Sequence, residues 1–393
     1  MNRRQFIGST LSAGLALATH AGADERKLRV AVIGHTGRGN YGHDVDKVWL
    51  TLPEVELVAV ADADAKGLAA VQKRLKRAKG FTDYRAMLAE TKPDIVAIAP
   101  RYVDEHRDMA LAAIATGAHG IYCEKPFCRS PVEADEILAA CEKNGVKLAV
   151  AHRDRYHPAL AAVDKLLKAG AIGKLLEMRA RGKEDARGGG LDLWVLGAHL
   201  MNLMHYFGGQ PLACTATVLQ GGKPATRADV QDGAEGVGPL AGNEVHARYE
   251  MERGVPAFFD SVQNAGDKAA GFGLQLIGTQ GVIDFRVDKE PFAYLLPGRV
   301  FSHRHRRVRA GLVERRDEEA RIRRVVLVGD GDLRRAARLP AAEGQPEHPG
   351  EQQRQDDVAR ELAAVAQQLL EVESRDAQDP PHARASARHT PKA

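Results

Sequence analysis

Leu28-Arg-Val-Ala-Val-Ile33 runs directly into Gly34-His-Thr-Gly-Arg-Gly-Asn-Tyr-Gly42, and this junction decides the fold. A short apolar run that stops at glycine reads as a parallel strand buried on both faces. A glycine-rich loop straight after it lets the backbone approach a pyrophosphate and aims N–H groups at it. The G-x-G-x-x-G slots fall on Gly34, Thr36 and Gly39, so the middle glycine is replaced; Gly37 and Arg38 share the loop as further candidate contacts. A literal match at 37–42 starts three residues too late after the strand. Asp62 closes a second apolar run, Val55–Ala61, 28 residues beyond Gly34. A carboxylate there accepts hydrogen bonds from ribose hydroxyls and repels a 2′-phosphate, which favours NAD, with NADP the alternative. The competing structural role for Asp62 is a helix N-cap.

Outward from this junction, strands alternate with helical stretches. Ala65–Lys79 reads as a helix, Asp94–Ala99 as a strand and Val103–Thr116 as a helix. His119–Cys123, a helix over Pro131–Asn144, and Lys147–Ala151 continue the pattern. The alternation predicts an α/β, doubly wound parallel sheet of Rossmann type over residues 27–151. Apolar stretches at Leu175–Arg181, Ala213–Leu219, Glu244–Tyr249, Ala257–Val262, Gly273–Ile277 and Val282–Val287 then follow without intervening helices. They predict a second, α+β domain over 152–300 with an open, mostly antiparallel sheet.

Composition sets the outer limits. In 393 residues, 44% hydrophobic and 27% charged, a large core is available and disorder throughout is excluded. A net charge of +4 is too balanced for a dedicated nucleic-acid or membrane-surface binder. Cys123, Cys128, Cys141 and Cys214 form no C-x-x-C pair, which argues for four reduced, mostly buried thiols. The histidines, His303 and His305 included, lack metal-ligand spacing, so no metal is expected.

Residues 1–23 read as a twin-arginine export signal: Arg3-Arg4-Gln5-Phe6-Ile7, a mild apolar run over Leu11–Ala18, and Ala21-Gly22-Ala23 as a cleavage pattern. The apolar run is too short to span a bilayer, so the processed protein is expected in the periplasm or beyond without a membrane anchor.

Glu124-Lys125-Pro126 stands beside the fifth strand; Ala99-Pro100, His106 and Ala115-Thr-Gly-Ala-His119 lie upstream. Arg155…Pro158, Gly170-Ala-Ile-Gly173, Gly189-Gly190…Gly197-Ala-His199…Gly208 and Leu276-Ile-Gly-Thr-Gln-Gly281 follow in order. With the glycine loop, this series resembles the Gfo/Idh/MocA oxidoreductase family, named for glucose-fructose oxidoreductase and inositol dehydrogenase, over roughly 28–298. The resemblance implies an NAD(P)-binding first domain and a second domain that walls the substrate site and pairs copies into a homo-oligomer. It also implies cofactor contacts at Pro100, His106, Glu124 and Lys125.

The implied chemistry is oxidation of a sugar or polyol carbinol, which needs a base for the hydroxyl proton. Lys125 is the first candidate, and the resemblance assigns that role to the Glu-Lys-Pro lysine; an ion pair with Glu124 is its structural alternative. His199 titrates near neutrality and is the second candidate, although a histidine on an apolar helix is commonly a core residue. The family's aspartates four residues before and three after this histidine are here Val195 and Asn202. Asp192 is the neighbouring carboxylate available to substitute. Arg153, Arg155, Tyr156, Trp194 and Asn202 are candidate substrate contacts. An exported enzyme meets no free NAD, so the resemblance to glucose-fructose oxidoreductase implies a tightly held, internally recycled nucleotide. The rival functions are a glycosidase that oxidises its substrate transiently with bound NAD, and a non-catalytic nucleotide- or sugar-binding relative.

Beyond residue 300 one lysine stands against 17 arginines, and no aromatic residue follows Phe301. Residues 301–393 are read as a frameshifted or poorly ordered Arg-rich tail, with weak order expected over 300–354. Its 18 basic and 16 acidic residues nearly cancel, which argues against a nucleic-acid patch.

Overall fold

The structure is a computed structural model that describes residues 26–75, 78–266, 271–289, 291–298 and 325–326. Six strands, β1 (Leu28–Ile33), β2 (Val55–Ala61), β3 (Lys79–Phe81), β4 (Ile95–Ile98), β5 (Gly120–Cys123) and β6 (Lys147–Val150), form a wholly parallel sheet in the order β3-β2-β1-β4-β5-β6. Alternation along each strand divides the core in two. Val30, Val32, Val60, Ile95 and Ala97 face Val45, Val48 and Trp49, together with Leu68, Val71 and Leu75 of α1 (Ala65–Leu75). Ala31, Ile33, Val96, Ile98 and Ile121 face α2 (Tyr84–Thr91), α3 (His106–Ala115) and α4 (Pro131–Asn144). Apolar side chains on both faces are what a doubly wound sheet requires.

Two local readings change. The helix expected over Ala65–Lys79 ends at Leu75, and Lys79 instead opens β3. The helix α2, capped by the Asp83 side chain accepting from Arg85 N–H, follows at once. A three-residue strand and an eight-residue helix are too short to show a period. Between β1 and β2 there is no α-helix either, only turns and a four-residue 3₁₀ segment, Val48–Thr51.

The second domain begins with α5 (Ala159–Lys168) and β7 (Leu175–Arg181), then α6 (Gly190–Val195) and α7 (Gly197–Gly208). The remaining strands are β8 (Pro211–Gln220), β9 (Lys223–Pro224), β10 (Gln231–Gly233), β11 (Gly238–Leu240), β12 (Glu244–Met251), β13 (Ala257–Val262), β14 (Gly273–Gly278), β15 (Gly281–Arg286), β16 (Ala293–Pro297) and β17 (Val325–Val326). Eight of these join β7 in one nine-stranded sheet, ordered β17-β16-β15-β14-β7-β13-β12-β8-β9, with β10 and β11 a separate ribbon. Every neighbouring pair in it is antiparallel except β13 with β7. One face buries Met178, Ala180, Phe259, Leu274 and Phe285 against Leu160, Leu200, Leu203 and Phe207 of α5 and α7. The opposite face is open, and β8 is exposed over most of its length.

Cys123, Cys128 and Cys141 are buried and free as expected; Cys214, also free, is exposed on β8. Of the tail, only β17 is described, paired with β16; the rest of the 300–354 expectation and the export signal lie outside the described residues. No helix among the described residues is long and apolar enough to cross a membrane.

Candidate active site

A cavity of about 480 Å³ opens at the carboxyl ends of β4, β5 and β6, between the parallel sheet and the second domain. Open α/β sheets bind their ligands at that edge. Arg101, Glu124, Lys125 and Ala151 line it from the first domain; Arg153, Lys183, Arg187, His199 and Asp288 line it from beyond.

Glu124 leaves β5 almost wholly buried and accepts from the His43 N–H at 3.3 Å and the Lys125 N–H at 3.1 Å, with His43 Nδ1 at 3.1 Å. Burial pushes its carboxyl up, but His43 and Lys125 outweigh that and bring it down to about 2. Gly42, at φ +59°, makes this possible: a Cβ there would stand 2.5 Å from Glu124 Oε2. Lys125 is only 4% exposed, and its Nζ donates to the Val195 carbonyl at 3.1 Å. Burial lowers its affinity for a proton, opposed in part by Glu124 and Glu235. The position that lacks the expected aspartate thus supplies a backbone oxygen to the lysine.

His199 comes from the first turn of α7 and is buried. Its Nδ1 lies 3.3 Å from Asp154 Oδ2, a pair that no local spacing in the sequence announces. Neither atom has a well-aligned hydrogen bond, so imidazole and carboxylate stand in close contact rather than in a straight bond. Burial lowers the His199 pKa, and Asp154 partly restores it. For Asp154, burial pushes the pKa up, but His199 and Arg153 outweigh it and hold the carboxylate ionised. A carboxylate facing Nδ1 favours the Nδ1–H tautomer and leaves Nε2 as the acceptor.

Asp192 does not line the cavity, and its Oδ2 is engaged away from His199. It accepts from Ser261 Oγ at 2.6 Å and Glu184 N–H at 3.0 Å, tying α6 to β13. Trp194 packs on the second-domain core and lines no cavity described here. Arg153 reaches the cavity and donates to Asp288 and the Val287 carbonyl, whereas Arg155, Tyr156 and Asn202 line a separate cavity. Residues 153–156 form a 3₁₀ turn, so side chains two apart point in different directions.

The glycine-loop end behaves differently. Asp62 is 1% exposed and accepts from Thr36 N–H at 3.0 Å, Thr36 Oγ1 at 2.6 Å, Tyr41 Oη at 2.8 Å and Asp64 N–H at 3.0 Å. Burial raises its pKa, but these bonds outweigh it and keep the carboxylate ionised. The Tyr41 ring fills the space beside Gly34, where a Cβ would fall 2.1 Å from it. Gly39 packs on the Arg101 backbone; Gly37, at φ +85°, borders open space. Arg38 pairs with Asp104 at 2.6 Å and Glu105 at 3.2 Å. His106 is a buried strut whose Nε2 is 2.7 Å from the Pro100 carbonyl, so neither offers its polar atom to a ligand.

The residues of the cleft, taken from the cavity to the glycine loop, suit a dinucleotide. Lys125 and Arg101 offer cationic groups, the loop at Gly37 is bare, and Asp62 stands at the end of β2 as the fold requires. Ribose hydroxyls at Asp62 would take the places now held by Thr36 Oγ1 and Tyr41 Oη.

A Rossmann-type parallel sheet joined to an open mixed sheet thus frames a cleft that holds a buried lysine and a buried histidine. Residues 28–152 match the family profile GFO_IDH_MocA, described as "Oxidoreductase family, NAD-binding Rossmann fold". The chain is 34% identical over 137 residues to D-apiose dehydrogenase of Paraburkholderia graminis, covering 35% of this chain and 36% of that protein. It is 25% identical over 256 residues to levoglucosan dehydrogenase of Pseudarthrobacter phenanthrenivorans, covering 58% and 65%. The chain therefore spans less than two thirds of the length of either relative. The solved structure of levoglucosan dehydrogenase with NADH and levoglucosan superposes with a TM-score of 0.56 at 22% identity, covering 71% of this chain and 78% of that one, a likeness of fold. Among the described residues no cluster of three or more His, Cys, Asp or Glu is placed to hold a metal.

Proposed function

We propose that this chain is an NAD-dependent oxidoreductase acting on a secondary alcohol of a sugar or polyol. The observation that carries the reading is Lys125: a nearly buried ammonium whose one hydrogen bond is to a carbonyl, in the same cavity as the His199–Asp154 pair. A lysine kept out of water without a bonded carboxylate has donor capacity left for a substrate oxygen. Bound here, nicotinamide would supply the hydride acceptor. Lys125 hydrogen-bonds the carbinol oxygen, and the reduced proton affinity of both Lys125 and His199 eases transfer of the hydroxyl proton between oxygen, lysine and imidazole. Asp154 stabilises the imidazolium once it forms. Arg153 and Lys183, both held by Asp288, border the space left for sugar hydroxyls.

The named relatives that act on sugars support the substrate class, and Asp62 supports NAD over NADP. Export by the twin-arginine route, supported by Arg3-Arg4 and Ala21-Gly22-Ala23, and pairing of copies through the open sheet belong to the same reading. The test is to purify the mature protein, denature it, and identify released nucleotide by mass spectrometry while screening sugars for oxidation. NAD(H) at one per chain with sugar turnover is expected. A protein that carries no nucleotide and binds none when it is added refutes the reading.

A further inference from the structure

The chain crosses from β6 into the Arg153–Tyr156 turn with Ala151 lining the active-site cavity and His152 lining a second one. This second cavity, about 470 Å³, is bordered by Phe127, Lys147, His152, Arg155, Tyr156 and Asn202, with β6 as its floor. Its size suits a small organic ligand.

Three polar atoms in its wall are out of solvent and have no hydrogen bond: Arg155 Nη1, His152 Nδ1 and Asn202 Oδ1. Buried polar groups in folded proteins are almost always paired, so three orphans around one cavity indicate a missing partner. The Arg155 guanidinium lies over the Tyr206 ring, 5.2 Å from its centroid, an arrangement that orients it without satisfying its in-plane donors. Two cations, Arg155 and Lys147, border the cavity and no carboxylate does. His152 stays neutral, since burial, and then His199, bring its pKa down to about 3. The set therefore asks for an anion on Arg155 and a hydroxyl group that donates to the Asn202 carbonyl oxygen.

We propose that this cavity is a second ligand site, distinct from the active site, that binds a small hydroxy-carboxylate with its carboxylate on Arg155 and its hydroxyl on Asn202. A charge-assisted bond to a guanidinium is the strongest single contact on offer, so Arg155 carries most of the affinity. The His152 ring meets the His199 ring edge to face at 6.0 Å, so an occupant of this site touches a residue packed directly on the active-site histidine.

The test is calorimetric titration of the full chain with sodium D-glycerate, with glycerol as the neutral counterpart, followed by a crystal structure with glycerate. Glycerate is expected to bind and glycerol not to. Arg155→Gln should weaken binding by about 10-fold or more, the loss of one charge-assisted hydrogen bond. Asn202→Leu should weaken it less, and Lys125→Met should leave it unchanged. Should Arg155→Gln not fold, Asn202→Leu alone decides. Binding abolished by Lys125→Met would place the anion in the active site and overturn the proposal. So would equal binding of glycerol, insensitivity to both Arg155→Gln and Asn202→Leu, or a crystal structure holding only ordered water on Arg155 and Asn202.

Discussion

At the Lys125 end of the cleft, ionisable groups are buried yet incompletely engaged: Lys125 meets a carbonyl, and His199 and Asp154 stand 3.3 Å apart without an aligned bond. At the Asp62 end, the central carboxylate has closed on its neighbours, with Thr36, Tyr41 and Asp64 all donating to it. Both ends sit at the carboxyl edge of the same sheet, so topology alone does not separate them. What separates them is the cost of burial. An unpaired polar group out of water costs roughly 1–3 kcal/mol, a strain tolerated where chemistry needs free valences. The Asp62 end avoids that strain and must exchange internal bonds for those of a ligand.

The strongest way to break the contrast is Lys125→Met. It removes the proton-handling group and one of the charges that hold Glu124 ionised, while the bonds from the main chain of His43 and Lys125 to that carboxylate remain. The expected outcome is a loss of kcat of about 10³-fold, within the range for a general acid–base group. Single-turnover absorbance at the reduced-nicotinamide band checks it; an unaltered rate would mean that the buried lysine is structural.

Asp154→Asn comes next. Asp154 raises the His199 pKa against the lowering by burial, so its removal lets that pKa fall further below the ordinary histidine value of 6.5. The acid limb of the kcat profile should therefore move to lower pH, while kcat at the plateau drops by about 10²-fold because the tautomer is no longer held. A uniform fall with an unshifted limb would assign Asp154 to structure alone.

How much of this was legible in the sequence follows from the range of each interaction. The parallel strands, the loop and Glu124-Lys125 are local patterns, readable because periodicity and turn chemistry act over a few residues. The Asp154–His199 contact joins a 3₁₀ turn to a helix 45 residues on, whereas the carboxylate nearest His199 in sequence, Asp192 on the preceding helix α6, is bonded to Ser261. Arg155 and Tyr156 looked like companions of Arg153 because they adjoin it; the tight turn sends them to the other cavity. Tyr41 gave no signal at all, since only the tertiary fold brings it over Asp62.

Gly42→Ala probes the point where the two ends meet. The residue has φ +59°, and the new Cβ would press on Glu124 Oε2 at 2.5 Å and the Ala99 carbonyl at 2.7 Å. Stability is expected to fall by about 2 kcal/mol, the sum of a left-handed alanine and a displaced carboxylate, read from the urea midpoint. A smaller shift would show that Glu124 has room to move.

Tyr41→Phe sharpens the comparison most finely. The hydroxyl donates to Asp62 at 2.8 Å, so its removal returns one acceptor position to the carboxylate while the ring keeps its place beside Gly34. If Asp62 exchanges that bond when a ribose arrives, the variant no longer has to break it. NAD should then bind about 5-fold tighter, the equivalent of roughly 1 kcal/mol for one hydrogen bond, and the unliganded protein should lose a similar amount of stability. The two changes have opposite signs and a common origin, so calorimetric titration and urea unfolding on the same preparation test them together. Weaker NAD binding in Tyr41→Phe would show instead that the tyrosine hydroxyl stays on Asp62 and helps to hold the ribose.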